Sequence, residues 1–318
     1  TSLQFLTLFA VSLALYYLIP KKLQWYALVV YSVCFFVLSS AVFTGIYLLV
    51  NIAVTYLCVR LMKRTEEDGV RKWSKSALLI GIIVNVGILA GLKYSNFFIG
   101  IVNSVICRFG TDFRLPETEY ISPIGISFYT VISVGYLLDC YWMQAADART
   151  GFLKTALFIS YFPQMTSGPI TKYQQMEGQL YAPHSFDYTG VAFGLQRILW
   201  GLFKKLVIST RVAGIVNGIY GNMENFAGLY IWTASFLFML QLYTDFSGCM
   251  DIIMGVSECY GIKLPENFRT PFFARSVQEY WQRWHITLGV WLRDYILYPI
   301  LRTETLLCYG ISFYFPEL

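Results

Sequence analysis

A chain of 318 residues that is 56% hydrophobic and only 14% charged carries about half the charge density of an ordinary soluble domain. Its mean hydropathy of +0.53 excludes a water-soluble globular protein of this size. The net charge of +5 is spread along the chain and forms no nucleic-acid patch.

In chain order, residues 3–19 are an apolar run without a basic leader or a small-residue cleavage site, and read as a retained first span rather than a signal peptide. Residues 24–59 contain no Asp, Glu, Lys or Arg. A helical span takes roughly 20 apolar residues, so this stretch is long enough for two, with Ser39 and Ser40 as the turn between them. A basic run follows at Arg60, Lys63, Arg64, Arg71, Lys72 and Lys75, partly offset by Glu66, Glu67 and Asp68. Basic loops stay on the cytoplasmic side. With three spans before it, this loop puts the N-terminus outside and Lys21 and Lys22 inside, which agrees with the same rule.

Further candidate spans lie at 77–93, 120–139, 152–166, 188–208 and 226–244. The apolar piece from Phe97 to Cys107 is short for a span and reads as a re-entrant or interfacial helix. Residues 108–119, with Gly110 and Pro116, read as a loop. Phe162, Pro163 and Gln164, then Gly168, Pro169 and Ile170, interrupt an apolar stretch. A loop between spans is the plainer reading; a broken helix at membrane depth is tolerated only inside protein or at a cavity. Asp139 reads as a span end, and Arg197, Lys204 and Lys205 as side chains that snorkel to the interface. Residues 172–187 form a polar loop with His184. The seven cysteines contain no C-x-x-C pair and read as free thiols in apolar surroundings.

After Thr244 charges enter otherwise apolar sequence, at Asp245, Asp251, Glu258, Lys263, Glu266, Arg269, Arg275, Glu279, Arg283, Arg293 and Asp294. Such a stretch belongs at an interface or along a cavity. Ser276 and Glu279 have capping-box spacing. A helix starting there places Trp281, Trp284, His285, Leu288, Trp291, Leu292 and Tyr295 on one broad face, with Arg283 and Asp294 turned away from its middle. His285 is then either a packed histidine satisfied by a carbonyl or a general base, which burial among aromatics would keep neutral. Asp245 either caps or meets water as its span ends, or it pairs with a cation such as Arg283 or Arg293 or orients a catalytic group. Asn267, in the turn from Pro265 to Asn267, reads as structural. With two histidines far apart and no Walker A, G-x-G-x-x-G or G-x-S-x-G pattern, zincins, nucleotide-binding enzymes and α/β-hydrolases are set aside.

The blocks LQLYTDFSGCMDIIMG (240–255) and GIKLPENFRTPFFARSVQEYWQRWHITLGVWLRDYILYP (261–299) resemble the signature region of the bacterial membrane-bound O-acyltransferase family, in particular its alginate O-acetyltransferase and teichoic-acid D-alanyltransferase subgroups. SFYTVISVGYLLDCYW (127–142), YFPQMTSGPI (161–170) and GLQRILWGLFKKLVI (194–208) agree, in order. The resemblance implies an all-α, polytopic transmembrane bundle around a membrane-crossing tunnel, with interfacial or re-entrant helices, in a single membrane domain over 1–318 that is incomplete at its C-terminus. It implies multi-pass placement in a bacterial inner membrane. The donor would be a thioester, acyl-CoA or an acyl-carrier protein, with no bound cofactor and no metal. The acceptor would be a hydroxyl of an envelope polysaccharide, peptidoglycan or teichoic acid, with a secreted or membrane partner acting on that polymer. His285 matches the family histidine of the R-W-H block; Asp245, Asn267, Arg283, Trp284, Arg293 and Asp294 are the supporting candidates. The family's second histidine, in a later W-H-G block, has no counterpart here, because no histidine follows His285. The expectation is a truncated or frameshifted frame, and a 318-residue chain that does not transfer acyl groups alone. A non-catalytic remnant or scaffold is the alternative. A polymer or lipid transporter fits less well, since R-W-H has no transport rationale and no paired half-repeats are visible.

Overall fold

The computed structural model describes residues 3–67, 71–109, 113–118, 122–143 and 151–304. Asp68, Gly110, Glu119, Cys308 and the chain from 305 onward lie outside the described residues, as do the side chains of Glu66, Glu67, Arg71 and Lys72 in the expected basic loop. Two compact units are present, residues 1–264 and 265–318.

The first unit is built from helices α1 (Leu3–Leu18), α2 (Gln24–Ser39), α3 (Gly45–Glu67), α4 (Arg71–Lys93), α5 (Ser95–Arg108), α6 (Ile126–Met143), α7 (Phe152–Ser160), α8 (Tyr173–Leu180), α9 (Tyr188–Leu202), α10 (Thr210–Tyr220) and α11 (Leu229–Cys259). Among the described residues there are no strands. Among the described residues, three helical stretches are long and apolar enough to cross a membrane, Lys21–Ser39, Val42–Arg64 and Trp73–Lys93, and Thr7–Leu18 is a shorter apolar one. The turn at Ser39 and Ser40 falls where the sequence puts it, and Ser40 Oγ lies 2.9 Å from Thr44 Oγ1. α3, α4 and α6 pack together around polar pairs, Asn85 Nδ2 donating to Thr55 Oγ1 (3.1 Å) and Ser133 Oγ to Asn51 Oδ1 (2.6 Å). Such pairs hold helices together where apolar surface alone gives no preference over lipid. Ile80 and Ile83 on α4, and Trp232 and Phe236 on α11, are exposed, as lipid-facing side chains are.

Two expected spans are corrected. The span at 152–166 is a nine-residue helix that stops at Ser160. Pro163 and Pro169 cannot continue it, and Gly168 lies so close to Gln164 that a Cβ there would sit 2.3 Å from its Cα. The non-helical residues are interior: Tyr161, Gln164 and Met165 are fully buried. Gln164 satisfies its own amide locally, donating to the Phe158 carbonyl (3.3 Å) and accepting from Thr171 Oγ1 (3.0 Å). The span expected to end at Thr244 instead runs on to Cys259 as one 31-residue helix.

α9 and α11 run antiparallel at backbone contact. A Cβ on Gly201 would lie 2.6 Å from the Gly248 carbonyl, and one on Gly194 2.7 Å from the Gly255 carbonyl. Both glycine pairs are reciprocal and seven residues apart on each helix, the small-residue solution for close helix packing in membranes. α9 continues through a π-helical turn, Phe203–Ser209, into α10.

The second unit contains a 3₁₀ turn (Pro271–Phe273), then α12 (Val277–Arg283), α13 (Ile286–Leu292), a π-helical turn (Arg293–Leu297) and α14 (Tyr298–Glu304). The single helix expected from Ser276 to Tyr295 is therefore broken: Trp284 is extended, and His285 is left-handed at φ 47°, ψ 52°.

Candidate active site

The break at His285 is held from outside the helix. Residues 267–269 run antiparallel to 283–286: Arg269 N–H donates to the Arg283 carbonyl (2.9 Å) and Ile286 N–H to the Asn267 carbonyl (3.0 Å), around a bridge between Phe268 and Trp284. Asn267 is fully buried. Its Oδ1 accepts from Thr287 N–H (3.0 Å) and Thr287 Oγ1 (3.0 Å), and lies 3.2 Å from His285 Nδ1. A left-handed, non-glycine residue costs on the order of 1–2 kcal/mol, which these contacts offset. Trp284 is fixed by rings on three sides, Phe268 edge-on at 5.0 Å, Phe272 at 6.3 Å and Tyr280 stacked at 5.8 Å.

His285 and Trp284 line a cavity of about 440 Å³ together with Trp281, Leu288, Leu292 and Arg293. The walls are almost entirely carbon. The helix face expected from the sequence thus largely survives as a cavity wall, although it is assembled from two short helices. Trp291 and Tyr295 pack on each other with tilted rings, centroids 5.4 Å apart, and do not line it. Burial lowers the His285 pKa to about 4, so the imidazole is neutral at physiological pH.

The supporting candidates divide. Asn267 and Trp284 belong to the histidine's immediate frame. Arg293 borders the cavity, its Nε 3.1 Å from Asp294 Oδ1 and its guanidinium 5.8 Å from the Tyr298 ring. Arg283 pairs with Glu279 (2.5 Å) one turn earlier, and neither Arg283 nor Asp294 lines the cavity. The expected cap is present, with Ser276 Oγ accepting from Glu279 N–H (3.1 Å); the Glu279 carboxylate reaches Arg275 N–H (2.6 Å) instead of the cap residue's own amide. That backbone bond, with Arg283 beside it, lowers the Glu279 pKa.

Asp245 is not a span end, and the partner described for it is a lysine of the same unit. It lies inside α11 and pairs with Lys205 at 2.6 Å. Asp251 takes Arg197 Nε at 3.1 Å and the Lys204 ammonium. The three cations on α9 and its π-turn, read as snorkelling, are thus bound to α11 instead. One signal was available: Arg197 and Lys204 are seven residues apart, two helical turns, and so share a face. Lys205 also borders a second cavity, about 380 Å³, with Phe162, Pro163, Thr166, Ser167 and Cys249. The broken segment therefore lines a half-open cleft with protein walls, in keeping with the rule that irregular backbone at membrane depth sits against protein or a cavity. Asp139, expected at a span end, is buried on α6. His184 is a structural histidine: Tyr16 Oη meets its Nδ1 at 2.9 Å, and Gln24 bonds both its backbone N–H (2.7 Å) and carbonyl (2.9 Å).

Fold and site together define a helical membrane protein that presents a neutral, half-buried imidazole to an apolar cavity. The profile of the MBOAT, membrane-bound O-acyltransferase, family matches residues 127–315, a stretch that contains the R-W-H turn, and the chain belongs to that family. Among curated relatives, it is 31% identical to the probable alginate O-acetylase AlgI of Azotobacter vinelandii, over 92% of this chain and 56% of that protein. It is 29% identical to the peptidoglycan O-acetyltransferase of Helicobacter pylori, over 79% of this chain and 51% of that protein. It is 32% identical to the teichoic acid D-alanyltransferase of Bacillus subtilis, over 57% of this chain and 46% of that protein. The chain spans about half the length of the curated relatives it matches.

Proposed function

We propose that the protein takes part in transfer of an acyl group, acetyl or D-alanyl, from a thioester donor used on the cytoplasmic side of a bacterial inner membrane to a hydroxyl of an envelope polysaccharide, peptidoglycan or teichoic acid. The observation that carries this is His285: a neutral imidazole held in a strained turn against an apolar cavity, within the segment that defines the family. A neutral imidazole takes the proton of the acceptor hydroxyl as its oxygen attacks the acyl carbonyl; the C–S bond breaks, and the thiolate leaves and collects a proton. Carbon walls offer few partners to water that would compete for the acyl group. The donor is acyl-CoA or an acyl-carrier protein, and a secreted or membrane partner presents the polymer. The helices form a multi-pass bundle around a tunnel that crosses the membrane.

The test is restoration of envelope O-acylation, read by mass spectrometry of released acetate and D-alanine, in a strain lacking the gene. The gene restores one acyl group, and His285→Ala abolishes that restoration by about 10²-fold or more. Full restoration by His285→Ala sinks the assignment of the base.

A further inference from the structure

We infer that Asn267 is a positioning residue that fixes which nitrogen of His285 carries the proton, leaving Nε2 as the atom that can act as base. The inference rests on the reading of His285 given above, and deepens it from residue to atom.

The argument needs only donor and acceptor identities. The backbone N–H of Thr287 can donate and cannot accept, so the Asn267 side-chain atom it meets at 3.0 Å is the carbonyl oxygen, not the amide nitrogen. The same oxygen receives the Thr287 hydroxyl at 3.0 Å and lies 3.2 Å from His285 Nδ1. An amide oxygen only accepts. Two lone pairs cannot share that contact, so Nδ1 must bring the hydrogen. In a neutral imidazole the lone pair then sits on Nε2.

The clamp is rigid. Asn267 is fully buried, and its backbone carbonyl holds Ile286 N–H at 3.0 Å. Asn267 thus grips the chain immediately after His285 through its main chain and at Thr287 through its side chain. The residue's neutrality is part of the device. A carboxylate in its place would also accept from Nδ1–H, but it would favour the imidazolium and so withdraw the base at neutral pH.

The chain contains two histidines, so histidine-selective ¹⁵N labelling of this chain in nanodiscs yields two imidazoles, and a His184→Gln variant assigns them. At neutral pH the His285 ring is expected to show a protonated Nδ1 and an unprotonated Nε2. Asn267→Asp, which keeps shape and acceptor, is expected to retain that tautomer while its titration midpoint moves up by about 1 to 3 pH units. Asn267→Ala is expected to lose the preference for Nδ1–H. A wild-type ring protonated on Nε2 overturns the inference, and so does an Asn267→Ala ring with an unchanged tautomer. If Asn267→Ala does not fold, the wild-type spectrum and the Asn267→Asp titration decide; a titration that does not move overturns it. The readout needs no turnover. An inactive chain with the Nδ1–H tautomer keeps this inference whatever becomes of the acyl-transfer reading, and an Nε2–H ring sinks it even where His285→Ala abolishes acylation.

Discussion

At His285 burial works against charge, and this has a measurable consequence for stability. Folding lowers the pKa from 6.5 to about 4. Above pH 6.5 neither folded nor unfolded imidazole binds a proton, and the histidine contributes no pH dependence. As pH falls below 6.5 the unfolded chain gains a proton that the folded chain refuses, so stability is lost progressively until pH is about 4. His184 is lowered by burial as well, so the comparison must isolate one ring. We predict that the thermal midpoint of the wild-type chain falls relative to that of His285→Gln between pH 6.5 and about 4, and that the two run parallel above pH 6.5. A constant difference across that range would show that the imidazole is not desolvated. At the same scale, Trp284→Ala removes a ring held on three sides and a wall of the cavity. A loss of about 3 kcal/mol is expected, read by chemical unfolding in detergent.

Among elements, the α9 and α11 seam ranks its own ion pairs. Asp251 is mostly shielded, with 14% of its side chain exposed, and serves two cations; Asp245 is 50% exposed and serves one. Removing the Asp251 charge leaves Arg197 and Lys204 without it in a partly buried seam, and Asp251→Asn is expected to cost about 3 kcal/mol or more. Asp245→Asn is expected to cost less than about 1 kcal/mol, as an exposed pair does. Unfolding of the two variants side by side checks the ranking; equal losses would mean the seam does not discriminate by burial. Gly201→Leu is expected to be worse than either, because its side chain would meet the Gly248 carbonyl and Ile252 with backbone on both sides.

This is also the scale at which the sequence was only partly readable. Local chemistry was legible: the serine turn after α2, the Ser276 cap, and the proline breaks after Phe162 all act within a few residues. The break at His285 was not. Residues 281–288 contain neither Gly nor Pro, and their three-and-four spacing suits an unbroken helix. What breaks it is Asn267, 18 residues upstream from His285. Asp245 misled for the same reason: a charge after an apolar run suggests water, but its counter-ion is a lysine 40 residues earlier on another helix. Cavity walls stayed readable because residues that share a helical face tend to share a surface, even after the helix is cut.

For the whole molecule, sidedness follows from where the cations stand between apolar helices. Lys21 and Lys22 follow α1, and the basic run around Arg60 to Lys75 joins α3 to α4. Two candidate spans, Lys21–Ser39 and Val42–Arg64, separate these positions, so an even number of crossings returns them to one side. Lysine and arginine next to spans are retained in the cytoplasm, and both groups vote the same way. The turn at Ser39 and Ser40 lies one crossing away, so this rule predicts that it faces outward. We predict that, in a background with the seven native cysteines replaced, Ser40→Cys reacts with a membrane-impermeant maleimide in intact cells, whereas Lys22→Cys and Lys75→Cys react only after permeabilisation. The opposite pattern would invert the molecule. Reaction of Ser40 and Lys22 variants from the same side would mean that Lys21–Ser39 does not cross at all.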